Sequence, residues 1–65
     1  KSFDVHFNDS QNSNSKGFNQ TLDYCIGYIS ALNGTNESYF GDYKGGTVSI
    51  VCNETGKNVF EVPIK

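Results

Sequence analysis

The chain has no arginine, no methionine and no tryptophan, and only one histidine and one proline. Without arginine there is no planar fork to grip phosphate. The five lysines, Lys1, Lys16, Lys44, Lys57 and Lys65, are scattered, and seven acids bring the net charge to −2. Nucleic-acid and anionic-membrane surfaces concentrate their basic residues on one face, so neither is an expected partner. No apolar run approaches the roughly 18 residues of a membrane span. A lone histidine makes a poor metal site, because structural zinc takes about four His or Cys ligands. Gly45-Gly46 precedes a strand pattern rather than a helix N-terminus, so it is a turn and not a phosphate loop. No cofactor is expected.

Apolar residues are also scarce, at 35% of 65 positions. A typical chain has about 45–50%, counting glycine. A core this small rarely supplies more than about 3–5 kcal/mol, so a covalent staple is expected. Cys25 and Cys52 are the only cysteines, 27 positions apart. An even cysteine count in a small chain reads as a disulfide framework from an oxidising compartment. Closing such a loop stabilises by about 3.5 kcal/mol in the chain-entropy model. The expected object is one disulfide-stapled domain over residues 1–65, secreted or periplasmic. Lys1 in first place and the absence of methionine fit a removed signal peptide.

Along the chain, Phe3, Val5 and Phe7 alternate with Asp4, His6 and Asn8, which predicts a half-buried strand over 2–8. Residues 9–16 contain no apolar residue and read as a mobile loop. Phe18, Leu22, Cys25, Ile26, Ile29 and Leu32 recur at steps of three and four, predicting a helix over 16–32, capped by Ser15 and stopped by Asn33-Gly34. Gly27 inside it implies close packing. Residues 47–64 read as a hairpin turning at 53–57, with Val48, Ile50, Cys52, Phe60, Val62 and Ile64 inward and Pro63 at an edge. The expected fold is α+β: one helix on a mostly antiparallel three-stranded sheet, β-α-β-β, with a mainly helical fold as the alternative.

No catalytic constellation stands out. His6 with Asp4 two positions away could serve acid–base chemistry, but a polar residue on a solvent-facing strand accounts for it. Asp23, Glu37, Asp42 and Glu54 read as solvated surface acids. Five Asn-x-Ser/Thr triplets, at Asn8, Asn19, Asn33, Asn36 and Asn53, would accept glycans in a eukaryotic secreted protein; the abundance of Asn, Ser and Thr also produces them without that role. The segment 35–46 mixes Tyr, Ser, Gly and Asn with acids, the composition of protein-binding loops. Tyr39, Phe40, Asp42 and Tyr43 are its candidate contact residues. The competing reading folds these rings back to seal the core.

Tyr24-Cys25-Ile26-Gly27-Tyr28-Ile29 resembles the Cys-x-Gly-Tyr-Ile/Val segment of small periplasmic immunity proteins of the Rap1a/Tai type, whose second cysteine is similarly placed. The resemblance covers about a third of the chain. It departs after Cys52, where that family is largely helical and this chain reads as a hairpin, and where Asn53 stands in place of a frequent proline. It implies a periplasmic protein that neutralises a partner enzyme. The expected function is therefore protein binding without catalysis, as an inhibitor or immunity protein. The alternative is a secreted toxin or effector, or a subunit of a processed precursor.

Overall fold

The computed structural model describes all residues, Lys1–Lys65. Strands β1 (Phe3–Asn8) and β2 (Ser13–Gln20) form a hairpin that leads into helix α1 (Leu22–Leu32). A short helix α2 (Tyr39–Asp42) precedes a second hairpin of β3 (Thr47–Cys52) and β4 (Asn58–Pro63). The sheet has four strands in the order β2-β1-β3-β4, every pair antiparallel. The α+β class holds, and the three-stranded count does not.

The strand the sequence hides is β2. Its residues, Ser-Asn-Ser-Lys-Gly-Phe-Asn-Gln, are exposed except for half-buried Lys16 and Phe18. It is held by main-chain pairing to β1 and by one apolar side chain, Phe18, edge-on to Tyr28 at 4.7 Å, which is too little to make a period-two signal. The Asp9 carboxylate closes the turn, accepting from the Gln11 and Asn12 N–H groups at 2.8 and 2.7 Å. Phe18 thus belongs to a strand, and α1 begins at Leu22. Thr21, not Ser15, caps it, its hydroxyl accepting from the Tyr24 N–H at 3.1 Å.

Paired residues in an antiparallel ladder point to the same face. One face carries Val5, Ile50 and Phe60 in one row and Phe7, Val48 and Val62 in the next. Cys25 and Ile29 of α1 pack onto it, and Phe40 and Tyr43 join the same cluster. Every residue expected inside is buried or half-buried; Phe40 and Tyr43 are additions. The other face, with the row Ser15, His6, Ser49 and Glu61, is polar and has no helix over it. Each edge strand has one N–H satisfied by a local side chain: Ser15 on β2 donates to Asn14 Oδ1 at 3.1 Å, and Phe60 on β4 donates to Asn58 Oδ1 at 3.2 Å.

Two further expectations are corrected. There is no disulfide: Cys25 and Cys52 are both free and both buried. Phe3 comes between them. Its carbonyl accepts from the Cys25 thiol at 3.6 Å, while across the ladder it is the register partner of Cys52. Gly27 is not a close-packing site either; a Cβ there would meet nothing within 4 Å. Gly46 is the glycine that packing demands, since an added Cβ would collide with the Asn8 carbonyl oxygen.

Candidate functional site

The 35–46 segment is a knuckle built from below. The Thr35 hydroxyl donates to the Leu32 carbonyl at 2.7 Å and accepts from the Glu37 N–H at 3.1 Å, locking the exit from α1. Ser38 then takes a left-handed φ of 52°, which turns the chain into α2. Gly41 is required, because a Cβ there would lie 2.7 Å from the Asn36 carbonyl oxygen. The Lys44 ammonium ties the far end, donating to the carbonyls of Thr35 and Lys65 at 3.3 and 3.1 Å.

The four candidate contact residues divide. Phe40 is fully buried, its ring edge-on to Phe7 at 5.0 Å. Tyr43 is buried with it. Tyr39 is half-buried, edge-on to Phe7 at 5.3 Å and to Tyr43 at 5.8 Å, and Asp42 is exposed. Phe40 and Tyr43 are therefore anchors, and Tyr39 and Asp42 are what the knuckle presents. Lys16 joins them, its ammonium 5.1 Å from the centre of the Tyr39 ring. Such a cation–π contact contributes about 0.5–1 kcal/mol at an exposed site. Nothing in the sequence announced it, because Lys16 and Tyr39 lie far apart and Lys16 read as the end of a loop.

His6 lies on the helix-free face, with Ser15 and Ser49 as register partners. Its neighbour Asp4 is committed elsewhere: Asp4 Oδ1 accepts from the Asn19 N–H at 2.8 Å and from Asn53 Nδ2 at 3.3 Å. Asn53 Nδ2 also donates to Ser2 Oγ and Asn19 Oδ1, at 3.2 and 3.1 Å. This cluster ties the β3–β4 turn to β1 and β2, leaving Asp4 to position backbone rather than to assist His6. Asp23, Glu37, Asp42 and Glu54 are all exposed.

The cluster also bears on the Asn-x-Ser/Thr triplets. The side-chain amides of Asn33 and Asn53 are engaged, Asn33 with Pro63 and Lys65. Thr21 caps α1, Thr35 closes its end, and the Thr55 hydroxyl accepts from the Lys57 N–H at 3.2 Å. Asparagine followed two positions later by threonine is here a grammar of caps and turns.

The two thiols differ in chemistry. Burial pushes the Cys25 thiol up, with the charge of Asp4 adding to it. Cys52 is pulled down by hydrogen bonding from Thr55, side chain first and then backbone, with Glu54 and Lys1 helping against the opposing effect of burial. Cys52 lines a pocket of about 280 Å³ with Phe3, Leu22, Thr55 and Val59. A second pocket, about 400 Å³, lies at the other end of α1 against β4. No cluster of His, Cys, Asp and Glu is arranged to hold a metal ion. No helix is long and apolar enough to cross a membrane. Compared with protein-family models, curated proteins and solved structures, the chain matches none.

Proposed function

We propose that the chain is a small protein-binding domain of the inhibitor or immunity type, acting by contact rather than by catalysis. The observation that carries the reading is the division of the knuckle: Phe40 and Tyr43 fix it in the core, Tyr39 is half-buried under the Lys16 ammonium, and Asp42 is exposed. A contact loop held in one conformation before binding loses little entropy on association. Tyrosine supplies a broad, stiff contact with a polar tip. Asp42 and Lys16 give the surface one charge of each sign, which selects a partner by complementarity. A periplasmic or extracellular site of action is part of the proposal. With the cysteines unpaired, its support is the resemblance of residues 24–29 to the Rap1a/Tai-type immunity proteins.

Affinity capture with the wild-type chain beside Tyr39→Ala and Asp42→Lys baits tests it. A protein held by the wild type and released by both variants, with thermal unfolding within a few degrees of wild type, is the expected result. A partner retained equally by all three baits would remove the knuckle from the contact.

A further inference from the structure

The helix layer does not cover the sheet. Four strands spaced about 4.8 Å apart make a surface wider than one helix, which with its side chains is about 10–12 Å across. α1 makes its main contacts with β1, β3 and β2, leaving β4 at the uncovered flank. The register between β3 and β4 shifts at Ile50/Val51, where Asn58 faces Val51 and Phe60 faces Ile50. Val59 is the extra residue. Such a bulge re-aims a side chain, and Val59 joins Phe3 and Leu22 on the wall of the smaller pocket while remaining 46% exposed.

Both pockets thus have α1 and β4 as walls. One opens at Leu22, where the helix begins, and the other at Ile29 and Asn33, where it ends, with Phe60 and Val62 as its floor. Their charged side chains are of one sign: Lys1 and Lys57 at one end, Lys65 at the other, with no acidic side chain in either.

We propose that this flank receives an amphipathic helix from a partner protein, apolar on the side facing Leu22, Val59, Phe60 and Val62, with acidic residues at both ends. An 11-residue helix laid beside α1 would run its whole length, from the pocket at Leu22 to the pocket at Ile29 and Asn33. A second copy of this chain is a poor occupant, since its one helix of that length already packs on its own sheet. The surface lies apart from the Tyr39–Asp42 knuckle, so either can fail without the other.

The probe is a synthetic peptide of about 15 residues with leucines at helical spacing and glutamates at both ends, beside a twin with lysines at the ends. Amide NMR shifts of the whole chain read the location, and the titration reads the affinity. Shifts at Leu22, Val59, Phe60 and Val62 are expected with the glutamate peptide, and about tenfold weaker binding of its lysine twin at low salt. Val59→Glu should weaken binding about tenfold or more, by placing a carboxylate against the acidic, apolar helix. Should that variant unfold, Lys57→Glu/Lys65→Glu serves in its place, both residues being exposed. Tyr39→Ala should leave this binding unchanged. Absence of shifts at millimolar peptide, equal binding of the twins, or sedimentation of the free chain as a dimer that Val59→Glu dissociates would overturn the proposal.

Discussion

Replacing Gly27 by alanine should stabilise the protein. Gly27 sits mid-helix on the exposed side of α1, and the methyl group would enter open space. The gain is the difference in helix propensity, about 0.8–1 kcal/mol in favour of alanine, much of it a loss of freedom in the unfolded chain. No packing change offsets it, because no neighbour lies within van der Waals reach of the new atom. For a domain this small the melting temperature should rise by about 4–8 °C per kcal/mol. With a urea m-value near the lower bound of about 1 kcal/mol/M, the unfolding midpoint should move up by about 0.8–1 M, with the slope unchanged. Paired urea and thermal unfolding curves followed by helix circular dichroism provide the assay. Gly46→Ala is the internal contrast, since its Cβ must displace the Asn8 carbonyl, and it should unfold the protein or lower its midpoint steeply. A Gly27→Ala variant less stable than wild type would refute the placement of that face of α1 in solvent.

Phe40→Ala should cost about 3–5 kcal/mol as a large-to-small change in a filled core, comparable to the whole stability of a chain this size, so loss of the cooperative transition is expected; a stable variant would place Phe40 outside the core. Brief iodoacetamide treatment of the native protein followed by peptide mass mapping should find Cys52 modified before Cys25: both thiols are buried, but Cys52 lines an open pocket while Cys25 lies inside the core, and the Cys52 thiolate is the more favoured of the two. Equal labelling, or two thiols that stay unlabelled after unfolding without reductant, would contradict the free, unlike thiols. Asp9 should titrate below the ordinary aspartate value of about 3.9, because the Gln11 and Asn12 N–H groups bond its ionised form. A lowered folded-state pKa means that its contribution is present above the unfolded pKa and fades as pH falls through the folded one. Faster amide exchange at Gln11 and Asn12 than pH alone explains, over that acid window, would register it; a normal midpoint would count against the turn geometry.

The apolar periodicities of 3–7, 22–32 and 47–64 were legible because each element buries one face, and burial imposes a pattern of two or of three and four. β2 was illegible for the same reason in reverse. Its bonds to β1 are made by main chain, which every residue carries, so Ser13–Gln20 leaves no period-two mark in side-chain type. The even cysteine count read as a bond because composition reports number and not direction. Cys25 donates to the Phe3 carbonyl and Cys52 lines a pocket with Thr55, and the packing of α1 on the sheet decides that. In the knuckle, the aromatic density of 39–43 was visible, but the division of anchors from presented residues depends on the turn that Ser38 and Gly41 impose.

The central pairing of the sheet has a consequence for how the protein comes into being. Each hairpin closes locally, but β1 meets β3 through pairs that run from Phe3 with Cys52 to Asn8 with Thr47, joining the first eighth of the chain to its last third. Contacts so distant in sequence slow folding, because a long loop must be ordered before any of them forms. While the chain is being made, the backbone edge of β1 that faces β3 has no partner until Thr47–Cys52 has emerged. Folding therefore waits for the β3–β4 hairpin, and a truncation that removes it should leave the first half without a core of its own.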